Sequence, residues 1–266
     1  MTADLLTCLA GGLIAFVVAA VTTPVGLAGA VLLLPVQVGL LGVPSPAATP
    51  TNLVYNVVST PGALAAHGSR LRDGLPLARA LAVGAVPGVI AGAVLRGTVL
   101  TGPREVAAII AAVLLPLGAL LVAGREPRRA RVGPPALSSP RALALLAGGV
   151  GLVGGIYGIG GGAVIAPALV AAGHRIARVA PAALTVTLVT SIAGVAAFEA
   201  ISLLDAGPDT IGPDWALGLS MGAGGLLGGA LGVRLSRRVP ERLLRRTLGL
   251  LVIAVGLRYL VQALLG

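Results

Sequence analysis

The sequence predicts an all-α polytopic membrane protein made of two inverted repeats, each with about five membrane segments and one short or broken helix. The first observation is composition: hydrophobic residues make up 56% of the 266 positions, charged residues make up 11%, and the mean hydropathy is +1.01. The second is that apolar stretches of about 20 residues, enough to cross roughly 30 Å of hydrocarbon, recur from residue 5 to residue 264. The third is an internal duplication.

The duplication is carried by a glycine-rich motif that ends in proline. The run Gly158 to Pro167 reads GIGGGAVIAP, and a weaker copy, GLAGAVLLLP, occupies residues 26–35. With this alignment Gly26 lies under Gly158, Gly29 under Gly161 and Pro35 under Pro167. The two halves of the chain are therefore interpreted as repeats.

The first repeat, residues 1–123, divides into five apolar segments. The second of them, residues 28–42, is shorter than a full crossing, and the third is unusually polar for a lipid environment. Glycines four residues apart in the fourth segment predict close helix packing. The segments are 5–23, 28–42, 50–67, a span that ends at Leu95 with Gly84, Gly88 and Gly92, and 105–123. Arg70, Arg72 and Arg79 are expected in a loop before that fourth span, and Arg96 just after it.

The second repeat, residues 141–266, follows the same order. Between the repeats lies a basic, proline-rich linker, residues 124–140. The repeat again holds a short second segment, a polar third segment and a fourth with a glycine seam. Its segments are 141–157, 162–173, 180–203, 215–233 with Gly224, Gly228 and Gly232, and 247–264.

Loop charge predicts the topology. All 19 basic residues are arginines, and nearly all of them fall in short loops, which is the signature of cytoplasmic loops in a membrane protein. The linker and the loop 234–246 are expected in the cytoplasm, and the acidic loop 204–214 outside. Five crossings in each repeat satisfy this assignment and invert the second repeat. Shallow re-entrant hairpins at the short segments would not satisfy this assignment of loops to the two sides of the membrane. The expected location is the cell (inner or plasma) membrane, with the lipid bilayer as partner.

Several classes of function are disfavoured by composition. Aromatic residues make up 2% of the chain, so stacking platforms for nucleic-acid bases are missing and no nucleic-acid partner is expected. Cys8 is the only cysteine and cannot form a disulfide within the chain. No metal-ligand spacing and no ATP-binding loop occur, so neither metal nor cofactor is expected.

The glycine motif is the candidate substrate site. Glycines beside a helix start expose backbone N–H groups without interference from Cβ, and a helix N-terminus adds partial positive charge, so the combination suits an anion. Polar side chains four residues apart on the third segment of each repeat would line the pathway. The candidate residues are Gly158, Gly160, Gly161, Gly162, Thr187, Ser191, Gly26, Gly29, Asn52 and Asn56. Apart from Arg258, no basic residue is expected inside a segment, so neutral donors would hold the anion.

Two stretches of the sequence resemble a known family. The motif GIGGGAVIAP, the polar span after it, and GGLLGGALGVRLSRRVPERLLRRTLGLLVIAVGLRYL at 224–260 are similar to the TauE/SafE family of sulfite exporters. The resemblance covers both halves and implies an integral-membrane transporter of small anions such as sulfite or sulfonates. The first copy of the motif departs from the pattern, because Ala28 and Ala30 replace the glycines found at 160 and 162.

Two other classes of function stay open. Gly218–Gly222 matches the G-x-S-x-G string of serine hydrolases, which would make Ser220 the nucleophile of a membrane enzyme. The string falls inside an apolar segment rather than at a strand-to-helix turn, which argues against that role. The other alternative is a membrane scaffold that transports nothing. The sequence leaves open the anion, the direction, the coupling ion and the oligomeric state.

Overall fold

A computed structural model describes residues 4–99, 103–123, 140–171, 174–204, 212–236 and 239–265. Within these residues the regular structure is helical. The α-helices are α1 (Leu5–Thr22), α2 (Ala30–Gly39), α3 (Ser45–His67), α4 (Arg70–Thr98), α5 (Pro103–Val122), α6 (Pro140–Tyr157), α7 (Gly162–Ala171), α8 (Ile176–Leu204), α9 (Trp215–Ser236) and α10 (Glu241–Leu265). The all-α membrane fold expected from the sequence is confirmed. Most of the linker lies outside the described residues.

Five of these helices are long and apolar enough to cross a membrane: Leu5–Val25, Arg70–Thr98, Ile176–Leu204, Trp215–Ser236 and Arg242–Leu265. By contrast, α2 and α7 have 10 residues each, which at helical rise is about 15 Å, half the thickness of the hydrocarbon. Each contains a proline, Pro35 or Pro167, that removes one backbone hydrogen bond. The short second helix predicted for each half is therefore present.

Glycine seams join helices from opposite halves of the chain. A Cβ placed on the seam glycines would overlap a backbone carbonyl oxygen of the facing helix, so the helices touch backbone to backbone. On α4 the pairs are Gly84 with Ala144, Gly88 with Gly148 and Gly92 with Leu152 of α6; on α9 they are Gly224 with Gly12, Gly228 with Phe16 and Gly232 with Ala20 of α1. The interpretation of both seams as packing surfaces is confirmed.

The contacts also fix the relative directions of the helices. Residue numbers rise together along the seam between α1 and α9, so these helices are parallel. They rise together between α3 and α9 as well, from Gly218 beside Val54 to Gly229 beside Ala63. Since α1 and α3 thus run in the same direction, the chain between them returns across the molecule through α2.

The same reasoning applies to α4, α6 and α8. The second seam makes α4 parallel to α6, and the contacts of Gly74 with Ala182 and of Gly97 with Ile201 make α4 parallel to α8. Leu53 near the start of α3 packs with residues near the ends of α4 and α8, so α3 runs opposite to both. The molecule thus contains two parallel groups of helices, α1–α3–α9 and α4–α6–α8, and each group draws on both halves.

The expected positions of several arginines are wrong. Arg70, Arg72 and Arg79 lie within α4 rather than in a loop, and Arg96 lies in its last turn and is only 3% exposed. The reason is length: α4 has 29 residues, about 43 Å at helical rise, and outlasts the hydrocarbon at both ends. Hydropathy detects the apolar part of such a helix and misses the polar turns that continue it.

Candidate functional site

The glycine motif of the second half forms a tight turn between α6 and α7. Two of its glycines have left-handed backbones, Gly158 with φ of 73° and Gly160 with φ of 70°. Residues with a Cβ are strained in this conformation, which explains the glycines at these two positions. The Ile159 N–H donates to the Gly154 carbonyl at 3.1 Å and closes the end of α6. The turn lies wholly in the interior of the protein.

One wall of the turn is α8. A Cβ at Gly160 would lie 3.0 Å from Ser191 Oγ and 3.0 Å from Thr187 Cγ2, so the turn presses directly against these two side chains. Both residues are 0% exposed, and neither hydroxyl has a hydrogen-bond partner among the described residues. A buried hydroxyl without a partner costs about 1–3 kcal/mol, so two of them beside one turn call for an explanation.

Thr190, between them on α8, has a different role. Its hydroxyl donates to the Val186 carbonyl at 2.7 Å and accepts the Gly161 N–H at 3.0 Å. This N–H is therefore occupied within the protein. Gly162 packs its backbone against the Ala183 carbonyl, in the same manner as a seam glycine. The predicted donors of the motif are thus not equivalent: Gly161 and Gly162 fasten the turn to α8, and Gly160 faces the Ser191 hydroxyl and the methyl group of Thr187. The Thr187 hydroxyl itself lies against Gly162.

The second wall is α3. A Cβ at Gly158 would overlap the carbonyl of Thr49, so the turn packs against the start of α3. Leu53 of α3 packs against Gly194 of α8. Asn56 and Thr60 follow on the same helical stripe, at spacings of three and four residues, so they face the second half of the chain. Asn56 is 0% exposed, and neither atom of its amide has a partner among the described residues. Unsatisfied polar groups therefore line both walls.

The first-half turn is fastened more completely. Asn52 donates to the Ala30 carbonyl at 2.9 Å and accepts from Gln37 Nε2 at 3.1 Å, which ties α2 to α3. Tyr55 donates its hydroxyl to the Ala28 carbonyl. Of the first-half candidates, Gly26 packs against Ala180 of α8, and Gly29 caps α2 beside the Tyr55 hydroxyl. The structure thus separates Asn52, Gly26 and Gly29 from the cluster around Gly160.

Sequence reasoning missed three residues here: Thr190, Gln37 and Tyr55. Tyr55 and Gln37 carried a signal, since a tyrosine and a glutamine in segments otherwise composed of small and apolar residues need polar partners. Thr190 sits one residue before Ser191 and gave no signal of its own. Its role becomes visible only when α7 is placed against α8.

Basic residues on the neighbouring elements lie apart from the cluster, since the turn meets α4 at Ala85, eleven residues before Arg96. Arg96 is on the buried face of α4, one turn beyond Gly92, and Gly92 contacts Ile156 at the end of α6. The expectation that only Arg258 lies inside a segment is therefore wrong. In the turn before α8, burial and then the nearby Arg178 lower the pKa of His174, so this side chain is neutral at neutral pH. No metal-binding group of side chains occurs among the described residues.

The serine of the hydrolase-like string lies within a helix and bonds to the neighbouring helix. Gly218–Gly222 lies inside the continuous helix α9, and the Ser220 hydroxyl donates to the Cys8 carbonyl of α1 at 2.5 Å. The strand-to-helix turn that exposes such a nucleophile is missing at this position. Ser220 contributes instead to the contact between α1 and α9.

Comparisons with known proteins agree with this picture. The family model described as Sulfite exporter TauE/SafE matches residues 11–259. A protein of Xylella fastidiosa (strain 9a5c) described as "Probable membrane transporter protein" is 36% identical over 111 residues, which are 40% of this chain and 39% of that protein. The aligned part thus covers well under half of that relative. No solved structure matches.

Proposed function

The chain belongs to the TauE/SafE sulfite exporter family and is a multi-pass membrane transporter, and from this premise we propose that it exports a small anion such as sulfite or an organosulfonate. The anion would bind between the second-half turn, α8 and α3. The observation that supports this site is the set of buried polar groups without partners among the described residues: the hydroxyls of Thr187 and Ser191 beside the turn, and the amide of Asn56 on the stripe of α3 that faces the second half.

The chemistry of these groups suits a weakly held oxyanion. Hydroxyls and an amide NH₂ donate hydrogen bonds, and a bond to a charged acceptor contributes about 1.5–3 kcal/mol, more than a neutral pair. Three such donors replace part of the water that the anion loses. Because they are neutral, the empty site carries no unbalanced charge and can return without cargo.

Export needs no further energy source for an anion in a cell with a negative interior. The membrane potential contributes about 2.3 kcal/mol per charge for every 100 mV. A doubly charged oxyanion would gain twice that amount. The coupling of transport to a proton is therefore unnecessary for net export, and no ionisable side chain occurs among the three donors.

Alternating access would use two inverted repeats, residues 1–123 and 141–266, joined by the cytoplasmic linker 124–140. The opposite directions of α3 and α8 favour this arrangement. The moving bodies would be the two mixed groups, α1–α3–α9 and α4–α6–α8, since the backbone seams hold each group together. The site lies where α3 of one group meets α8 of the other, so rotation between the groups would expose it to either side.

The first test is a flux measurement with sulfite in proteoliposomes. The paired change Thr187→Val and Ser191→Ala keeps the shape of the wall and removes both hydroxyl donors. Loss of two charge-assisted bonds should raise the half-saturating sulfite concentration by about a hundredfold to ten-thousandfold. The matched control is Thr185→Val, which removes a hydroxyl that is already bonded to the Pro181 carbonyl on the same helix.

The result decides between the proposal and its alternatives. Unchanged half-saturation in the paired variant would place the site elsewhere. Flux that persists in Ser220→Ala excludes an enzyme that uses this serine, and saturable flux by the purified chain excludes a scaffold. Competition by sulfate, thiosulfate, taurine and acetate then identifies the preferred class of anion.

A further inference from the structure

The alignment of the two repeats places a different residue in the position of Thr187. At the offset that superposes the glycine motifs, Gly160 corresponds to Ala28, Thr187 to Tyr55 and Ser191 to Ser59. At the offset that superposes the seams, Ala85 of α4 corresponds to Gly225 of α9. The two turns can therefore be compared residue by residue.

In the first half an aromatic ring fills the space beside the turn. A Cβ at Gly29 would lie 2.7 Å from the Tyr55 hydroxyl, and one at Gly225 would lie 3.0 Å from the same oxygen. Tyr55 thus stands between the turn and α9. In the second half the turn meets α4 directly: a Cβ at Gly161 would lie 3.3 Å from the Cβ of Ala85, closer than ordinary van der Waals contact.

The hydroxyl of Tyr55 is bonded, whereas the hydroxyl of Thr187, its counterpart, has no partner among the described residues. The Tyr55 hydroxyl donates to the carbonyl of Ala28, the counterpart of Gly160, and the ring is 0% exposed. The sizes of neighbouring residues are matched in each half: large Tyr55 faces Gly225, and smaller Thr187 has Ala85 across the turn. In the first half the large ring of Tyr55 packs tightly against Gly225, whereas in the second half the smaller Thr187 keeps a buried hydroxyl without a partner among the described residues.

We infer that Tyr55 closes the first-half counterpart of the substrate site, so that each chain binds a single anion, in the second half only. The inference rests on the proposed function for the identity of the ligand, and on geometry for the closure. Unsatisfied groups on α3 do not contradict it: Asn56 lies on the stripe that faces the second half, and Ser59 packs with the ring of Tyr55 against Gly225. The duplicated fold therefore carries one working site and one filled site.

A test that needs no substrate uses the reactivity of cysteines. In a Cys8→Ala background, Ser191→Cys and Ser59→Cys place thiols at corresponding positions, and the small anionic reagent 2-sulfonatoethyl methanethiosulfonate is added to the protein in proteoliposomes. Cys at 191 should react at least about tenfold faster than Cys at 59, because only the former lies at a site that opens. Equal rates would overturn the inference.

Two further variants identify the ring as the cause. Tyr55→Thr combined with Gly225→Ala, which recreates the second-half pair, should make the thiol at 59 reactive. Tyr55→Phe keeps the ring and removes only the hydroxyl, so protection should persist. If the double variant fails to fold, the inference is still tested by the reaction rates at 191 and 59 in the parent background and by the rate at 59 in the phenylalanine variant. Reaction at 59 in the phenylalanine variant would show that the ring does not close the position.

Stoichiometry separates this inference from the proposed function. Calorimetric titration of the purified transporter with sulfite should give one site per chain, and two sites would overturn the inference. No sulfite binding, together with selective reaction at 191, would reject sulfite as the substrate and support the closure. Equal reaction at 191 and 59 together with normal sulfite flux would overturn the closure and support sulfite as the substrate.

Discussion

Glycines serve two different purposes in this protein, and the comparison between the seams and the second-half turn shows how to tell them apart. Each seam glycine faces a backbone carbonyl of the neighbouring helix, which cannot move without moving that helix. Gly160 faces the side chains of Thr187 and Ser191, whose hydroxyls have no partner among the described residues. The same residue type thus permits helix packing in one region and exposes polar groups in the other. Substitutions should separate the two.

The largest effect is expected in a seam. Gly228→Leu would drive a side chain into the backbone of α1 at Phe16, and overpacking of this kind costs more than about 3 kcal/mol when the backbone must shift. We expect little folded protein, measured as the monodisperse fraction after detergent extraction. Gly149→Leu on α6 is the matched control, since Gly149 has no atom within 4 Å of its Cβ position. A normal folded yield for Gly228→Leu would show that the seam is not a close helix contact.

Gly160→Ala should mainly abolish transport. Its φ of 70° costs an alanine about 1–2 kcal/mol, and the new methyl group would lie 3.0 Å from the Ser191 oxygen. Gly42→Ala carries the same strain, with φ of 68°, and has open space around its Cβ position. Both variants should lose comparable thermal stability, whereas only Gly160→Ala should lose sulfite flux per folded molecule. A parallel loss of flux in both would assign the effect to strain.

A smaller effect is expected for Gly161→Ala. Its Cβ position is 3.3–3.5 Å from Ala85, Thr190 and Val186, so the neighbours need to yield by only a few tenths of an ångström. Folded yield should stay near that of the parent protein, and the shifted turn should raise half-saturation severalfold. Loss of yield without any change in transport per folded molecule would mean that the turn merely packs.

The smallest effect is expected for Arg258→Gln. Arg258 is exposed at a groove between α2 and α10 that is lined by Leu32, Pro35, Leu40 and Val255, away from the polar walls. Sulfite flux should stay within about twofold of the parent, since the groove that holds Arg258 includes none of the three proposed donors. Arg96→Gln is the contrast: this buried cation lies one turn beyond the contact with Ile156, and its loss should weaken sulfite binding more. A larger loss of sulfite binding in Arg258→Gln than in Arg96→Gln would place the anion in the groove.

Much of the fold could be predicted because its signals are local. Stretches of apolar residues gave the number of helices, and glycines at a spacing of four gave the seams without any knowledge of the partner helix. The duplicated motif placed α2 and α7. The ends of α4 could not be predicted, because a helix longer than the bilayer continues into polar turns such as that of Arg70, which hydropathy assigns to a loop.

The candidate site was only partly predictable, for a physical reason. Spacing places Thr187 and Ser191 on one face of a helix, but it cannot show which hydroxyls are already bonded. Thr190 accepts the Gly161 N–H, and Asn52 bonds to Gln37 and Ala30, so groups that look alike in the sequence differ in what they have left to donate. That difference depends on the placement of separate helices and exists only in the folded chain.

The seam between α1 and α9 has a consequence for how the chain is made. Helix α1 packs along α9, which is made eight helices later, whereas α4 meets its partner α6 only two helices later. Throughout most of synthesis α1 must therefore stay in the bilayer with its packing face covered by lipid alone. A chain that stops before α9 leaves α1 without its main partner and leaves α3 with α2 and α8. Assembly of the α1–α3–α9 group thus waits for α9, and products truncated before it keep a surface by which membrane quality control can recognise them.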